Sequence, residues 1–127
     1  MARPRAKGLT ERELDVMHVF WRHGELSAIE VRDRLAHAGS RLNYTTVANL
    51  IRILYDKGFL KEVNDARPFR YCPSRSFEEV SGRLLGDVVD RVFGGSREQL
   101  LLRLVEQRAL TASERAMLKE ILREQGR

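Results

Sequence analysis

The sequence predicts a mostly helical chain with one small β-hairpin, divided into two parts near Arg75, and three observations carry that prediction. Between Asn43 and Tyr71 a helix with two distinct faces runs directly into a short two-stranded segment rich in arginine. Five Ser or Thr residues, each followed three positions later by Glu or Gln, mark helix starts at which two orphan amides can be satisfied reciprocally. The third observation is charge: residues 1–75 contain 14 Lys or Arg against 9 Asp or Glu, whereas residues 76–127 contain 9 of each. The whole formal surplus of +5 therefore lies in the part that holds the two-faced helix and the hairpin.

The first start signal, Thr10 with Glu13, opens a helix over about residues 11 to 22. Leu14, Met17, His18 and Trp21 align on one stripe, and Val16, Val19 and Phe20 widen it, so most of this helix is expected to be buried. His18 among apolar neighbours reads as a packed side chain rather than a ligand. Gly24 breaks the chain, and Leu26 supplies a short link expected to pair with the hairpin as a third strand. Ser27 with Glu30 opens the second helix, about 28 to 37, with Ile29, Val31 and Leu35 as its apolar positions; residues 38 to 42 turn the chain.

Asn43 caps the third helix. Val47, Leu50, Ile51 and Leu54 recur at helical spacing and commit one face to the core, while Thr45, Ala48, Asn49, Arg52 and Asp56 form a second face of small, polar and charged groups. Lys57 and Gly58 close the helix with a basic last turn and a C-terminal glycine. Residues 59 to 63 then read as a strand, 64 to 68 as a turn, and 69 to 72 as the return strand ended by Pro73. A helix presenting a polar face to the major groove, followed by a basic hairpin, describes a winged helix-turn-helix over residues 1–75.

Past Pro73, Ser76 with Glu79, Ser96 with Gln99 and Thr111 with Glu114 mark three further helices, bringing the total to six. Their apolar surfaces are broad: Val80, Leu84, Leu85, Val88, Val89 and Val92, then Leu100 to Leu102, Leu104 and Val105, then Met117, Leu118, Ile121 and Leu122. So little neighbouring chain is available that residues 76–127 are expected to form a helical dimerisation domain, with Leu84, Val88, Leu101, Leu104, Leu118, Ile121 and Leu122 at the interface of a homodimer. A tail folded back on the N-terminal part is the competing arrangement.

Catalysis finds no support in the residues. His18, His23 and His37 are the only histidines, the first two spaced five apart and so off a common helix face, and Gly94-Gly95 lacks the strand and lysine of a phosphate loop. Neither a metal nor a cofactor is expected. One cysteine, Cys72, rules out an internal disulfide and reads as a packed thiol. No 18 apolar residues run together, so no membrane insertion is expected and a cytoplasmic location fits. The basic start, Arg3, Arg5 and Lys7, reads as an arm touching phosphates or equally as a solvated terminus.

Several motifs together resemble the BlaI/MecI penicillinase repressors along almost the full length: residues 9 to 17 (Leu-Thr-Glu-Arg-Glu-Leu-Asp-Val-Met) with Trp21, Tyr44-Thr45-Thr46-Val47 with Leu50, Leu54 with Lys57-Gly58, Tyr71, and Gly94-Gly95. The resemblance implies a dimeric transcriptional repressor on a pseudo-palindromic, double-stranded operator related to TACA/TGTA inverted repeats. It also implies release through a membrane-bound sensor protease, with a cut in the helix after the Gly-Gly joint, typically at an Asn-Phe bond. The matching bond here is Arg103-Leu104, a departure from that pattern. A second departure lies in the reading helix, where family members commonly carry arginine at the position of Ile53 and this chain has Arg52 beside it. Related copper-responsive repressors carry paired C-terminal cysteines, which this chain lacks.

From the phase of the third helix, Thr45, Asn49 and Arg52 are expected near base edges and Thr46 near a phosphate. Lys61, Arg67 and Arg70 are expected to meet backbone phosphates through the wing. A winged helix used for protein docking without DNA is the alternative function.

Overall fold

The computed structural model describes residues 8–107 and 110–125. Among these, six helices, α1 (Glu11–His23), α2 (Ala28–His37), α3 (Tyr44–Asp56), α4 (Phe77–Arg91), α5 (Arg97–Gln107) and α6 (Ala112–Gln125), accompany three short strands, β1 (Leu26–Ser27), β2 (Leu60–Glu62) and β3 (Arg70–Pro73). The chain divides into two compact units, one ending at Leu84 and the other beginning at Leu85. The basic arm Arg3, Arg5 and Lys7 lies outside the described residues.

In the first unit, α1, α2 and α3 enclose a core to which the three-stranded antiparallel sheet, ordered β1-β3-β2, adds an edge. Leu26 pairs with Tyr71 and Ser27 with Arg70, so the short link does become the third strand; on the other side Lys61 faces Cys72 and Glu62 faces Tyr71. The first hairpin strand is shorter than the sequence suggests, and β3 keeps its expected length but is shifted by one residue, running through Pro73 rather than ending before it.

Five predicted helix starts all cap, in two grades. Thr10 with Glu13, Ser27 with Glu30 and Thr111 with Glu114 make both halves of the reciprocal box. At Ser76 and Ser96 only the hydroxyl engages, accepting from the backbone N–H of Glu79 and Gln99. The end of α3 is equally well built: the N–H of Gly58 donates to the carbonyl of Tyr55 and that of Phe59 to Leu54, a paired closure that requires the positive φ of +88° at Gly58. Phe59 and Leu54, the two residues this closure brings together, are both buried.

The core face of α1 differs from the expected stripe. Glu13, Val16, Met17 and Phe20 are its buried residues, whereas Leu14 and Trp21 are half-buried and His18 is exposed, its ring packed edge-on to Trp21 at 5.5 Å. The spacing 13, 16, 17, 20 is as regular as 14, 17, 18, 21, but a carboxylate occupies its first position. Glu13 is tolerated there because its Oε1 accepts from the Thr10 N–H at 2.9 Å and from Lys57 Nζ at 2.9 Å. Lys57 Nζ also donates to the carbonyl of Gly8, so the residue that caps α3 fastens the segment entering α1.

Helix α4 corrects the expected boundary of the apolar residues. Val80 is buried in the first unit's core, and Leu84, assigned from sequence to the dimer surface, is half-buried against that core within its own chain. The link before α4 is tied down as well: Trp21 Nε1 donates to the Arg75 carbonyl at 2.9 Å, the Arg75 guanidinium lies 5.1 Å from the centre of the Phe59 ring, and Phe77 packs edge-on to Trp21.

In the second unit α6 buries none of its residues, and Leu101, Leu104, Val105, Met117, Leu118, Ile121 and Leu122 are each between 40% and 63% exposed. Full burial of such a side chain from full exposure is worth about 1.5–3 kcal/mol, so at this partial exposure each still forgoes a share of that. Such a surface marks a place for another apolar face.

Candidate nucleic-acid interface

Helix α3 is positioned by its buried residues and presents its polar ones. Val47, Ile51 and Leu54 are fully or almost fully buried and Leu50 is half-buried, which turns Thr45, Asn49, Arg52 and Asp56 outward and leaves Ala48 and Thr46 partly covered. Asn43 Oδ1 accepts from the Thr46 N–H at 2.8 Å and anchors the first turn, from which these side chains project. Ile53, at the position where the resembled family commonly carries arginine, is 40% exposed beside Arg52.

The hairpin forms the second half of the surface. Asn64 organises its tip: its Oδ1 accepts from the Arg70 N–H at 2.8 Å while its Nδ2 donates to the carbonyls of Ala66 and Pro68, each at 3.0 Å. Arg67 is exposed on this braced loop with its guanidinium 5.7 Å from the centre of the Phe69 ring, and Lys61 is exposed on β2. Both stand among the residues expected to reach phosphates.

Arg70 departs from that expectation. Its Nε donates to Glu25 Oε2 at 2.7 Å, its Nη2 to the Glu25 carbonyl at 3.2 Å, and its Nη1 lies 3.1 Å from Glu30 Oε1. Hydrogen bonding to Glu25 holds the guanidinium pKa above its ordinary value, with the Glu30 charge assisting. Glu30 is correspondingly lowered, first by the Ser27 backbone N–H that its carboxylate accepts and then by Arg70. A guanidinium engaged by Glu25 ahead of β1 and by Glu30 at the α2 start is not a free cation of the wing.

Between the start of α2, the first turns of α3 and the wing lies a groove of about 420 Å³, lined among others by Ile29, Tyr44, Ala48, Arg67, Phe69 and Tyr71. Ile29, Tyr44 and Phe69 are not among the residues expected at the site from the sequence. Ile29 and Tyr44 are each 49% exposed, and the usable signal was an isoleucine or tyrosine in the opening turn of a helix, off the apolar stripe. Burial, with the nearby Glu62 carboxylate second, raises the Tyr71 phenol, so it stays protonated as a donor.

The other expected residues fall elsewhere. Val88 is exposed on α4 and Leu101, Leu118, Ile121 and Leu122 on α5 and α6. Arg103 and Leu104, flanking the bond matched to the family's cut, sit within α5 beside a hollow that Val92, Phe93 and Leu100 also line. His18, His23 and His37, despite the five-residue spacing of the first two, all border a hollow between α1 and α2 with Arg22 and Arg34. Desolvation and then the two guanidinium charges lower the His23 pKa. No cluster suited to a metal ion occurs among the described residues, and none of their helices is long and apolar enough to cross a membrane.

An outward polar helix set beside a braced, basic hairpin on a three-helix core defines a winged-helix transcription regulator. The penicillinase repressor family profile matches residues 9–124, and the chain belongs to that family. It is 26% identical over 116 residues to the penicillinase repressor of Bacillus licheniformis, covering 91% of this chain and 90% of that one. It is 25% identical over 114 residues to the methicillin resistance regulatory protein MecI of Staphylococcus aureus strain N315, covering 90% and 92%. Among solved structures, the DNA-binding domain of the repressor BlaI superposes with a TM-score of 0.51 at 26% identity, over 61% of this chain and 93% of that domain. The hsRosR-S1 complex, at 15% identity and a TM-score of 0.57 over 97% and 96%, shares the fold.

Proposed function

We propose that this repressor acts as a homodimer on a pseudo-palindromic operator, with α3 of each copy in a major groove and each wing on the flanking backbone. The observation that carries the reading is the pairing of an unobstructed α3 face, Thr45, Asn49 and Arg52, with Arg67 presented on a braced loop. Thr46, at the helix start, and Lys61, on β2, are assigned to phosphates. The exposed leucines and valines of the second unit supply the dimer surface, and two reading helices related by a two-fold axis select half-sites about 10 base pairs apart, centre to centre, or a multiple of that. Release follows proteolysis in α5, at or near Arg103-Leu104, by a membrane-bound sensor protease. A gel shift on the DNA upstream of the chain's own gene tests the reading. A sequence-independent shift, or none, favours a winged helix used for protein docking.

Within this reading Asn49 and Arg52 carry base discrimination, because an amide can pair bidentately with adenine and a guanidinium with guanine at about 1–3 kcal/mol each. Asn49→Ala and Arg52→Ala are expected to relax preference at separate operator positions when binding is compared across single-base variants. Unchanged preference in both would remove α3 as the reading element.

A further inference from the structure

We propose that Arg70 is a positioning residue of the wing, a clamp that fixes the loop carrying Arg67 against the start of α2 and so sets where Arg67 meets the DNA backbone. Two sets of contacts converge on this one residue. Its side chain grips the carboxylate and carbonyl of Glu25, just ahead of β1, and the carboxylate of Glu30 in the first turn of α2, and Glu30 Oε1 also accepts from the N–H of Ser27, the α2 cap, at 2.9 Å. Its main chain holds the loop: the N–H donates to Asn64 Oδ1, the carbonyl accepts from the Val63 N–H at 2.9 Å, and Asn64 in turn binds the carbonyls of Ala66 and Pro68 on either side of Arg67. Cα pairing of Arg70 with Ser27 puts the strand and the helix cap in register at this point.

Magnitude decides what such a clamp is for. The Arg70 side chain is 33% exposed and its partners are 50% and 45% exposed, a setting in which ion pairs add little to global stability. Its geometry is nevertheless specific, because a planar guanidinium satisfies three acceptors in fixed directions and an ammonium does not. The consequence is therefore orientation. The groove between α2, α3 and the wing has residues adjoining both ends of the clamp in its walls, Ser27 to Ile29 on one side and Phe69 and Tyr71 on the other, so the clamp also sets the separation of those walls.

The inference rests on the DNA-binding reading for its effect, and on hydrogen exchange of the free protein for the clamp itself. In the free full-length chain, Arg70→Met, Arg70→Lys and Glu30→Gln are each expected to raise exchange at the Val63 and Arg70 amides while α3 keeps its protection. Unchanged exchange at those amides overturns the clamp whether or not DNA binds. On operator DNA, Arg67→Ala is expected to weaken all sequences alike and to lower the salt slope by about 0.9, the loss of one phosphate contact. Arg70→Met is expected to reproduce much of that change, and Arg67→Ala with Arg70→Met together are expected to lower the slope no further than Arg67→Ala alone. Additive slopes would make Arg70 an independent phosphate contact and overturn the proposal.

Glu30→Gln gives the sharpest outcome. Removing a negative charge beside a polyanion strengthens binding by simple electrostatics, whereas loss of a clamp partner weakens it severalfold. Tighter operator binding by Glu30→Gln overturns the proposal. If the unaltered chain retains no DNA while the exchange results hold, the operator reading falls and the clamp survives as a feature of the wing.

Discussion

Replacing Lys57 with methionine is expected to lower the unfolding free energy by about 3 kcal/mol, a large fraction of what a small domain possesses. Lys57 Nζ lies 2.9 Å from Glu13 Oε1 with the carboxylate side chain only 5% exposed, so methionine leaves a buried charge with the Thr10 amide as its remaining partner. The loss is mainly desolvation left uncompensated rather than attraction forfeited, and this predicts an asymmetry. Adding Glu13→Gln to Lys57→Met is expected to recover part of the stability, since the residual charge disappears with its partner already gone. Urea titration of the four proteins of that cycle checks both signs. A Lys57→Met variant within about 0.5 kcal/mol of the parent, the range of an ordinary surface change, would show that water reaches Glu13 freely.

Ending the chain at Arg103 is expected to lower operator affinity by about 100-fold or more. The truncated chain keeps the first unit's core, its α3 face and its wing, but loses Leu104, Leu118, Ile121 and Leu122 and most of the second unit's apolar surface. If the chain binds as the proposed dimer, each lobe then engages a half-site independently and forfeits the effective concentration that linkage confers. Replacing Leu118 or Leu122 by aspartate in the full chain is expected to act in the same direction by placing a charge in the proposed dimer interface. Sedimentation of the unaltered protein as a stable folded monomer, or equal operator affinity for the full and shortened chains, would remove dimerisation from the release mechanism.

Local chemistry was legible in the sequence and pairwise commitments were not. Each predicted helix start caps, and the Lys57-Gly58 end of α3 closes as its residues suggest, because those signals act over three or four positions. Glu13 escaped notice as a core residue because a capping-box glutamate ordinarily faces water, and its burial depends on a lysine 44 positions later. Arg70 looked like a free cation because Glu25 and Glu30 lie far away in sequence and arrive only when β1 pairs with β3. Val80 and Leu84 have the periodicity of a dimer helix, and nothing in that periodicity says which apolar surface they meet. For the candidate interface, the phase of α3 was readable, while the aromatic walls contributed by Tyr44 and Phe69 needed three elements to be brought together.

Trp21 is the chain's sole indole, and its surroundings give the protein a selective optical signal. Its Nε1 donates to the Arg75 carbonyl and its ring meets Phe77 at 5.3 Å, so its emission reports on whether the segment entering α4 remains docked on α1. Residues 85–127 contain no tryptophan and a single aromatic ring, Phe93. Separation or melting of the second unit alone is therefore nearly silent in tryptophan fluorescence yet visible in far-ultraviolet dichroism, where α5 and α6 contribute. Disagreement between the two signals along one titration would expose a state in which the DNA-reading unit is intact while the rest of the chain has come apart.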